Sequence, residues 1–533
     1  MRPFDVENIG YIKPKIKASK NPAVSALQDL LFYQLTGLSF FAKNAMLLEK
    51  NDKNTNSQIS RLLYLCNKGI NFSINAMISA INEAYRLKNR VENLYKLICK
   101  NLHKKPKRAP VSSSLIPADN LAQMVSQANV VNAQKTIRIS NFNIFSMHEI
   151  IRKSLEASAN YLEHIKKCET ISNSFYFQIY DILDFLSSSS TNISECASYA
   201  LKAGELHTQV LEKLISAYEK TYGLIERKKV STSYKKGSAI LVVGDDFEFL
   251  KKLLDATENT SINIYTYGTL NYAHSFSQIN KYKNLAGIYL GEYGEFSADI
   301  ESFSGVVVLT SGNIEELSTI YRGRIYSTED ISMLGVSHVE TSQFKTLINS
   351  AYDAQGFEQD KENSSVEVGF GLKELEYYTE KLYRDLKNKS VASIEILLGY
   401  EKFYFDVKTS KQTFFIFVDC SSSLFKSVKS TMTLNMGQFV NIYTLIRLLF
   451  ALAGRFKKDI NEMPVNIAIN LRSSDTIATL LMLLSLGIKN IKVTSELPNY
   501  LTQSLLKIFR KEYNLQLLSE IYSTKNQSYK YKN

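Results

Sequence analysis

The apolar periodicity of this chain changes once, near Lys235, and that change limits the folds open to it. Before it, apolar residues recur at helical spacing. In "PAVSALQDLLFYQLTGLSFFAKNAMLL", Leu27, Leu30, Leu31, Leu35, Leu38 and Phe41 fall at i, i+3 and i+4, with Pro22 where a helix start tolerates proline. The segment "FSMHEIIRKSLEASANYLEHIKKC" (145–168) repeats the pattern. Met147 falls on Leu27, Glu149 on Asp29, Ile150 and Ile151 on Leu30 and Leu31, Leu155 on Leu35, and Tyr161 on Phe41. Between the two lies "KKPKRAPVSSSLIPAD", a Pro/Ser/basic connector. The first part of the chain thus predicts two related helical hairpins or bundles joined by a loop.

After Lys235 the runs are short and β-rich: "SAILVVGDD" (238–246), "INIYTYG" (262–268), "AGIYLG" (286–291), "GVVVLTSG" (305–312) and "GRIYST" (323–328). Helical stretches such as "FEFLKKLLDATE" separate several of them. A helical passage around 372–390 is followed by "SIEILLG" (393–399), "TFFIFVDC" (413–420), "VNIAINL" (465–471) and "IKNIKVTS" (488–495). The helix "SDTIATLLMLLSLG" (474–487) has a Ser/Asp start and a Gly stop. Strands alternating with helices argue parallel sheets covered by helices. The expectation is an α + α/β multidomain chain: a helical-bundle domain over 1–235, then two Rossmann-like doubly wound domains over 236–380 and 381–533.

At 533 residues the chain exceeds one ordinary core, and 45% hydrophobic with 22% charged residues describes a globular protein. Its five cysteines, Cys66, Cys99, Cys168, Cys196 and Cys420, are scattered without C-x-x-C spacing. That predicts reduced thiols in an intracellular, reducing compartment, the cytoplasm above all. "MRPFDVENIGYIKPK" has no apolar core and no 18 consecutive apolar residues occur, so neither a signal peptide nor a membrane span is expected. The formal charge is +12. Lys104, Lys105, Lys107 and Arg108 in "HKKPKRAP", and the tail "YSTKNQSYKYKN", are basic and expected to be exposed. Such stretches steer a protein toward nucleic acid, an anionic membrane or an acidic partner. No RNP, KH or zinc-finger pattern accompanies them, and a solvated lysine-rich surface explains them as well.

Standard catalytic motifs are missing. The turn after the first strand of the α/β half, "GDDFEF", is neither G-x-G-x-x-G nor a P-loop, and Asp245 or Asp246 reads as a helix N-cap. The six histidines form no H-x-x-x-H pair, and there is no G-x-S-x-G elbow. One feature stands out: the buried run "FFIFVDCSSS" (414–423) ends in Asp419 and a lone Cys420, at the end of a strand where open α/β sheets bind ligands.

Five stretches in order carry a resemblance over roughly residues 15–520: "NPAVSALQDLLFYQLTGLSFFA", "GELHTQVLEKLISAYEKTYG", "SAILVVGDDFEFLKKLLDATENTSINIYTYG", "FSGVVVLTSGNI" and "IATLLMLLSLGIKNIKVTSELPNYLT". They resemble the hybrid-cluster proteins, or hydroxylamine reductases, which are distant relatives of the nickel carbon monoxide dehydrogenases. The resemblance implies a simple iron–sulfur cluster held by four N-terminal cysteines. Here the first 65 residues have none, and the last of the four would fall near Ala18. It also implies a hybrid iron–sulfur–oxygen cluster with eight ligands. In "YTYGT", Tyr267 stands in the histidine's place. Asp299 stands for a glutamate, and Asn313, Glu401 and Phe439 stand for cysteines. Ser473 and Asp475 stand for a glutamate and a lysine, and Cys420 is retained.

Those substitutions lead to the expectation of a paralogue with no cofactor, a pseudoenzyme serving as a structural or protein-interaction subunit among other subunits. One alternative is an oxidoreductase of the hydroxylamine reductase type. Another is a divalent-metal site made by Asp299, Glu401 and Asp475, whose hard oxygens suit Mg²⁺, Ca²⁺ or Mn²⁺. Cys420 is either a small buried hydrophobe or a thiol tuned by the turn after it. Phe439 and Tyr267 are expected to fill the space a cluster would leave, near Cys420 and between the two sheets.

Overall fold

The computed structural model describes residues 21–70, 72–138, 141–188, 192–291, 296–310, 323–328, 336–340, 343–362, 365–400, 412–420, 432–494 and 497–517. Helices lead the chain: α1 (Pro22–Met46), α2 (Lys53–Leu65), α3 (Ile74–Asn101), α4 (Leu121–Arg138), α5 (Phe142–Cys168), α6 (Asn173–Ser187) and α7 (Ile193–Tyr222). Pro22 opens α1, and the Asn21 side chain caps it by accepting from the Ala23 amide at 3.0 Å. Leu27, Leu30, Leu31, Leu35 and Leu38 are fully buried, so the apolar stripe faces the bundle interior. α1 packs against α3, α4 and α6, and α5 against α2 and α7. Arg152 of α5, itself buried, joins the two central helices: its Nη1 lies 2.8 Å from Asp29 Oδ1 and its Nε 2.9 Å from Glu156 Oε1.

The rest of the chain builds two six-stranded parallel sheets. The first contains β2 (Ala239–Val243), β3 (Asn263–Tyr267), β4 (Leu285–Ile288), β5 (Val306–Leu309), β6 (Ile325–Ser327) and β7 (Ser337–His338), in the order β4-β3-β2-β5-β6-β7. The second contains β9 (Ser393–Leu398), β10 (Thr413–Val418), β11 (Thr433–Asn435), β12 (Val465–Ile469), β13 (Ile491–Val493) and β14 (Gln516–Leu517), in the order β11-β10-β9-β12-β13-β14. Both orders are doubly wound. The winding reverses between β2 and β5 in one sheet and between β9 and β12 in the other, and ligand crevices form at such points. Every residue of β2 and β10 is buried, as expected of strands covered on both faces. An antiparallel ribbon of β1 (Lys228–Ser231) and β8 (Ser365–Val368) flanks the first sheet.

Helices cover the sheets: α8 (Phe247–Thr257), α9 (Phe296–Ser302) and α10 (Phe344–Asp353) in the first, and α11 (Leu372–Lys387), α12 (Ile442–Phe456), α13 (Ser474–Ser485) and α14 (Gln503–Tyr513) in the second. α11 packs on α12, with Lys381 Nζ 4.9 Å from the Phe414 ring centre, so it travels with the second sheet. α13 leaves its own sheet to lie against α5 and α7. At Gly204 of α7 the two backbones touch: a Cβ there would come 2.2 Å from the Leu481 carbonyl oxygen. Among the described residues no helix is long and apolar enough to cross a membrane.

Candidate functional site

Helix α5 runs across the carboxyl ends of both sheets and presents Asn160, Tyr161, His164 and Lys167 to them, all on one face by their spacing. The first sheet meets it at the turn after β2. Asn160 Nδ2 donates to Asp245 Oδ2 at 3.3 Å, His164 Nε2 lies 3.4 Å from the same oxygen, and Lys167 Nζ donates to Asp246 Oδ2 at 2.7 Å. Asp246 is the N-cap of α8 and accepts from the Phe249 amide at 3.0 Å. Its neighbour Asp245 is left to face the helical bundle.

From the second sheet comes Asp475, in the first turn of α13. Ser473 caps that helix, its Oγ accepting from the Thr476 amide at 3.2 Å. The Tyr161 hydroxyl and the Asp475 carboxyl are near enough to shift each other's titration. Burial pushes Asp475 above the usual carboxylate range; Asp245 adds to this and Tyr161 opposes it. Tyr161 is pushed well up by burial, then by Asp475, Asp419 and Asp245. For His164, burial alone would lower the imidazole, but Asp245 and Asp246 outweigh it and the net shift is upward. Gln438 completes the convergence, its Nε2 donating to the Gly268 carbonyl at 3.1 Å and so linking the turn after β11 to the turn after β3.

Cys420 sits at the end of β10, after Asp419 in the left-handed region at φ 51°. Its Sγ turns back onto its own sheet, 3.3 Å from the Leu397 carbonyl oxygen and 3.4 Å from that of Val418. Burial, with Asp419 adding to it, pushes the thiol up to about 12. It is therefore a protonated donor at neutral pH, not a thiolate.

Tyr267 ends β3 and Asp299 lies in α9, where its carboxyl packs over Gly291, a residue at φ 72°. Asp299 is 1% exposed, and the Tyr267 hydroxyl donates to its Oδ2 at 3.5 Å. The Tyr267 ring lies 6.5 Å from that of Tyr289, centre to centre. Phe439 opens the short turn Phe439–Asn441, and its side chain lies outside the described residues, as do Asn313, Glu401, Ala18 and the basic tail.

The structure therefore gathers Asp475 and Asp245 around α5, and pairs Tyr267 with Asp299 at the first sheet. Among the described residues no group of three or more His, Cys, Asp and Glu is placed to hold a metal ion. A cluster held by several thiolates does not fit this donor set: of the five cysteines only Cys420 lies in the sheet region, and the other four belong to the helical region, at the end of α2 and in α3, α5 and α7. Sequence reasoning missed Tyr161, His164 and Asp245 as neighbours. One signal was available: on the internal repeat Tyr161 falls on Phe41, and the added hydroxyl marks a polar demand at an otherwise apolar position.

The profile of the Prismane/CO dehydrogenase family matches residues 19–422 and 432–525. The chain is 28% identical over 508 residues to a hydroxylamine reductase of Thermodesulfovibrio yellowstonii, covering 92% of each protein. It is 26% identical over 523 residues to one of Acidithiobacillus ferrooxidans, covering 96% of this chain and 94% of that one. Among solved structures it is similar to carbon monoxide dehydrogenase IV of Carboxydothermus hydrogenoformans, with TM-score 0.51 and 11% identity over 93% of this chain and 85% of that one. At that identity the likeness speaks for the fold. With most of its length matched, the chain belongs to the Prismane/CO dehydrogenase family.

Proposed function

We propose that this chain is a cluster-free member of its family, a pseudoenzyme acting as a structural or protein-interaction subunit. The observation that carries the reading is the Tyr267–Asp299 pair. Two positions assigned to iron ligands by resemblance are joined to each other by a hydrogen bond. Three further points support it. The retained Cys420 turns its sulfur onto the backbone carbonyls of Leu397 and Val418 in its own sheet. Ser473, at another such position, is occupied as a helix cap. Asn313, Glu401 and Phe439 bring no thiol to the remaining cysteine positions.

The test is the visible spectrum, iron and sulfide content, and hydroxylamine reduction of protein purified without oxygen. A colourless preparation with far less than stoichiometric iron and no reduction is expected. A brown protein with stoichiometric iron and sulfide would return it to the reductases that its relatives are named for. A thermal-shift titration with Mg²⁺, Mn²⁺ and Ca²⁺ addresses the oxygen-ligand alternative. A saturable shift abolished by Asp475→Ala would favour a metal site at Asp299, Glu401 and Asp475.

A further inference from the structure

The charge of this protein is concentrated in one place. Residues 93–148 contain eight lysines and arginines against one acidic residue, Asp119, so more than half of the +12 excess falls in about a tenth of the chain. The segment begins in the last turns of α3. There His103, at φ 52°, reverses the chain: the His103 amide donates to the Lys100 carbonyl at 3.1 Å and the Lys104 amide to that of Cys99 at 2.8 Å. The connector then folds back along α3, and the Lys107 amide donates to the Tyr95 hydroxyl at 3.1 Å. Lys100, His103, Lys104, Lys105, Lys107 and Arg108 are all exposed.

Large aliphatic side chains are exposed along the same segment. Leu97 is 54% exposed, Leu102 48%, Val111 56% and Ile116 64%. They are held there by the backbone and do not merely dangle. The turn Val111–Ser114 lies against α1 at Gly37, where a Cβ would come 2.7 Å from the Ser112 carbonyl carbon. The Ile116 carbonyl accepts from Gln127 Nε2 of α4 at 2.8 Å, and the Ala118 amide donates back to Gln127 Oε1 at 3.0 Å. A firm scaffold thus displays aliphatic groups among cations.

We infer that this surface docks on an anionic phospholipid bilayer, with the cations at the headgroups and Leu97, Leu102, Val111 and Ile116 in the acyl boundary. Charge complementarity selects a polyanion, and the aliphatics select among polyanions. A nucleic acid would be met by aromatic rings that stack on bases, and the exposed large apolar residues from Leu97 to Ile116, around the run of cations, are aliphatic. Cations beside exposed aliphatic side chains are the combination that binds lipid surfaces, where each part contributes separately. This inference is independent of whether the chain binds a cluster.

The test is co-sedimentation of the full-length protein with vesicles of phosphatidylcholine alone, and of equal parts phosphatidylcholine and phosphatidylserine. Partition onto the mixed vesicles only is expected, weakened by salt. Lys104→Gln and Lys105→Gln should each lower the partition coefficient about fivefold. The double variant Leu102→Ser, Ile116→Ser keeps every cation and should lower it about tenfold. All three replace exposed side chains, and an unchanged melting temperature verifies that each is folded. Equal binding by the aliphatic variant would overturn the proposal, as would failure to bind mixed vesicles. Retention on single-stranded RNA or polyglutamate without vesicle binding would assign the surface to that polyanion instead.

Discussion

The hydroxyl of Tyr267 donates to Asp299 Oδ2 at 3.5 Å, joining the end of β3 to α9 across the carboxyl edge of the first sheet. Asp299 is almost wholly buried, and a buried carboxylate that loses a donor is penalised by more than the net value of the bond. Tyr267→Phe should therefore destabilise the protein by about 1–2 kcal/mol in urea unfolding, with the ring packing kept. Asp299→Asn on the Tyr267→Phe background should cost less than on the wild type, because the two groups are coupled. Strict additivity of the two changes would show that the pair does not interact.

Gly204 carries the contact between α7 and α13, and so between the helical region and the second sheet. A methyl group there would meet the Leu481 carbonyl oxygen at 2.2 Å and its carbon at 2.4 Å, both backbone atoms that no rotamer change can move. Gly204→Ala should lower stability by about 1–3 kcal/mol, the usual scale for overpacking. The effect should exceed that of Gly454→Ala, where nothing lies within 4 Å. Equal melting temperatures for the two variants would contradict the close crossing.

Cys420 should behave as an inert thiol. With its proton held and its sulfur against two carbonyls, it should resist iodoacetamide in the native protein at mildly alkaline pH and react fully in guanidinium. Mass spectrometry of the alkylated peptide measures this directly. Rapid native labelling at Cys420 would mean a thiolate, and would reopen the reading of it as a tuned nucleophile or ligand.

The parts of this fold that were legible in the sequence are those whose physics is local. β10 is a run of six buried residues, and α13 carries a capping Ser473 at one end and Gly487, at φ 76°, beyond the other. The edge strands β7, β11 and β14, of two or three residues each, were not foreseen. The ribbon of β1 and β8 pairs residues far apart in sequence, and its half-exposed residues resemble loop. The site divides the same way. Cys420 was visible as the residue that closes a buried strand. The approach of His164 to Asp245 depends on how α5 crosses the sheet, and neither residue alone announces it. The choice between Asp245 and Asp246 as cap also needed the structure, since both precede the same helix.

Acid sensitivity gives the last prediction, and its sign follows from burial. His207, with Nδ1 3.0 Å from Ser158 Oγ, and His274, with Nε2 3.0 Å from Thr266 Oγ1, are both pushed down to about 3 by burial. In the unfolded chain each titrates near 6.5. Between about pH 6.5 and about pH 3 the unfolded state binds more protons at these sites, so their contribution to stability is present above that window and lost as pH falls through it. Other groups run the opposite way. The folded-state values of His164, Asp475 and Glu395 are raised, so the native state holds extra protons there and gains stability on acidification. The total pH slope mixes both sets, and the difference between variants isolates one. His207→Gln keeps a polar group near Ser158 and removes a single titration. Its unfolding free energy should fall less steeply with acid than that of the wild type, by up to one proton, or about 1.4 kcal/mol per pH unit. His274→Gln should do the same, and the two effects should add, since the residues lie in different elements, α7 and the turn Gly268–Ser275. Urea unfolding at a series of pH values from neutral to mildly acidic measures all three slopes. Parallel curves for wild type and both variants would mean that neither imidazole is buried in its neutral form.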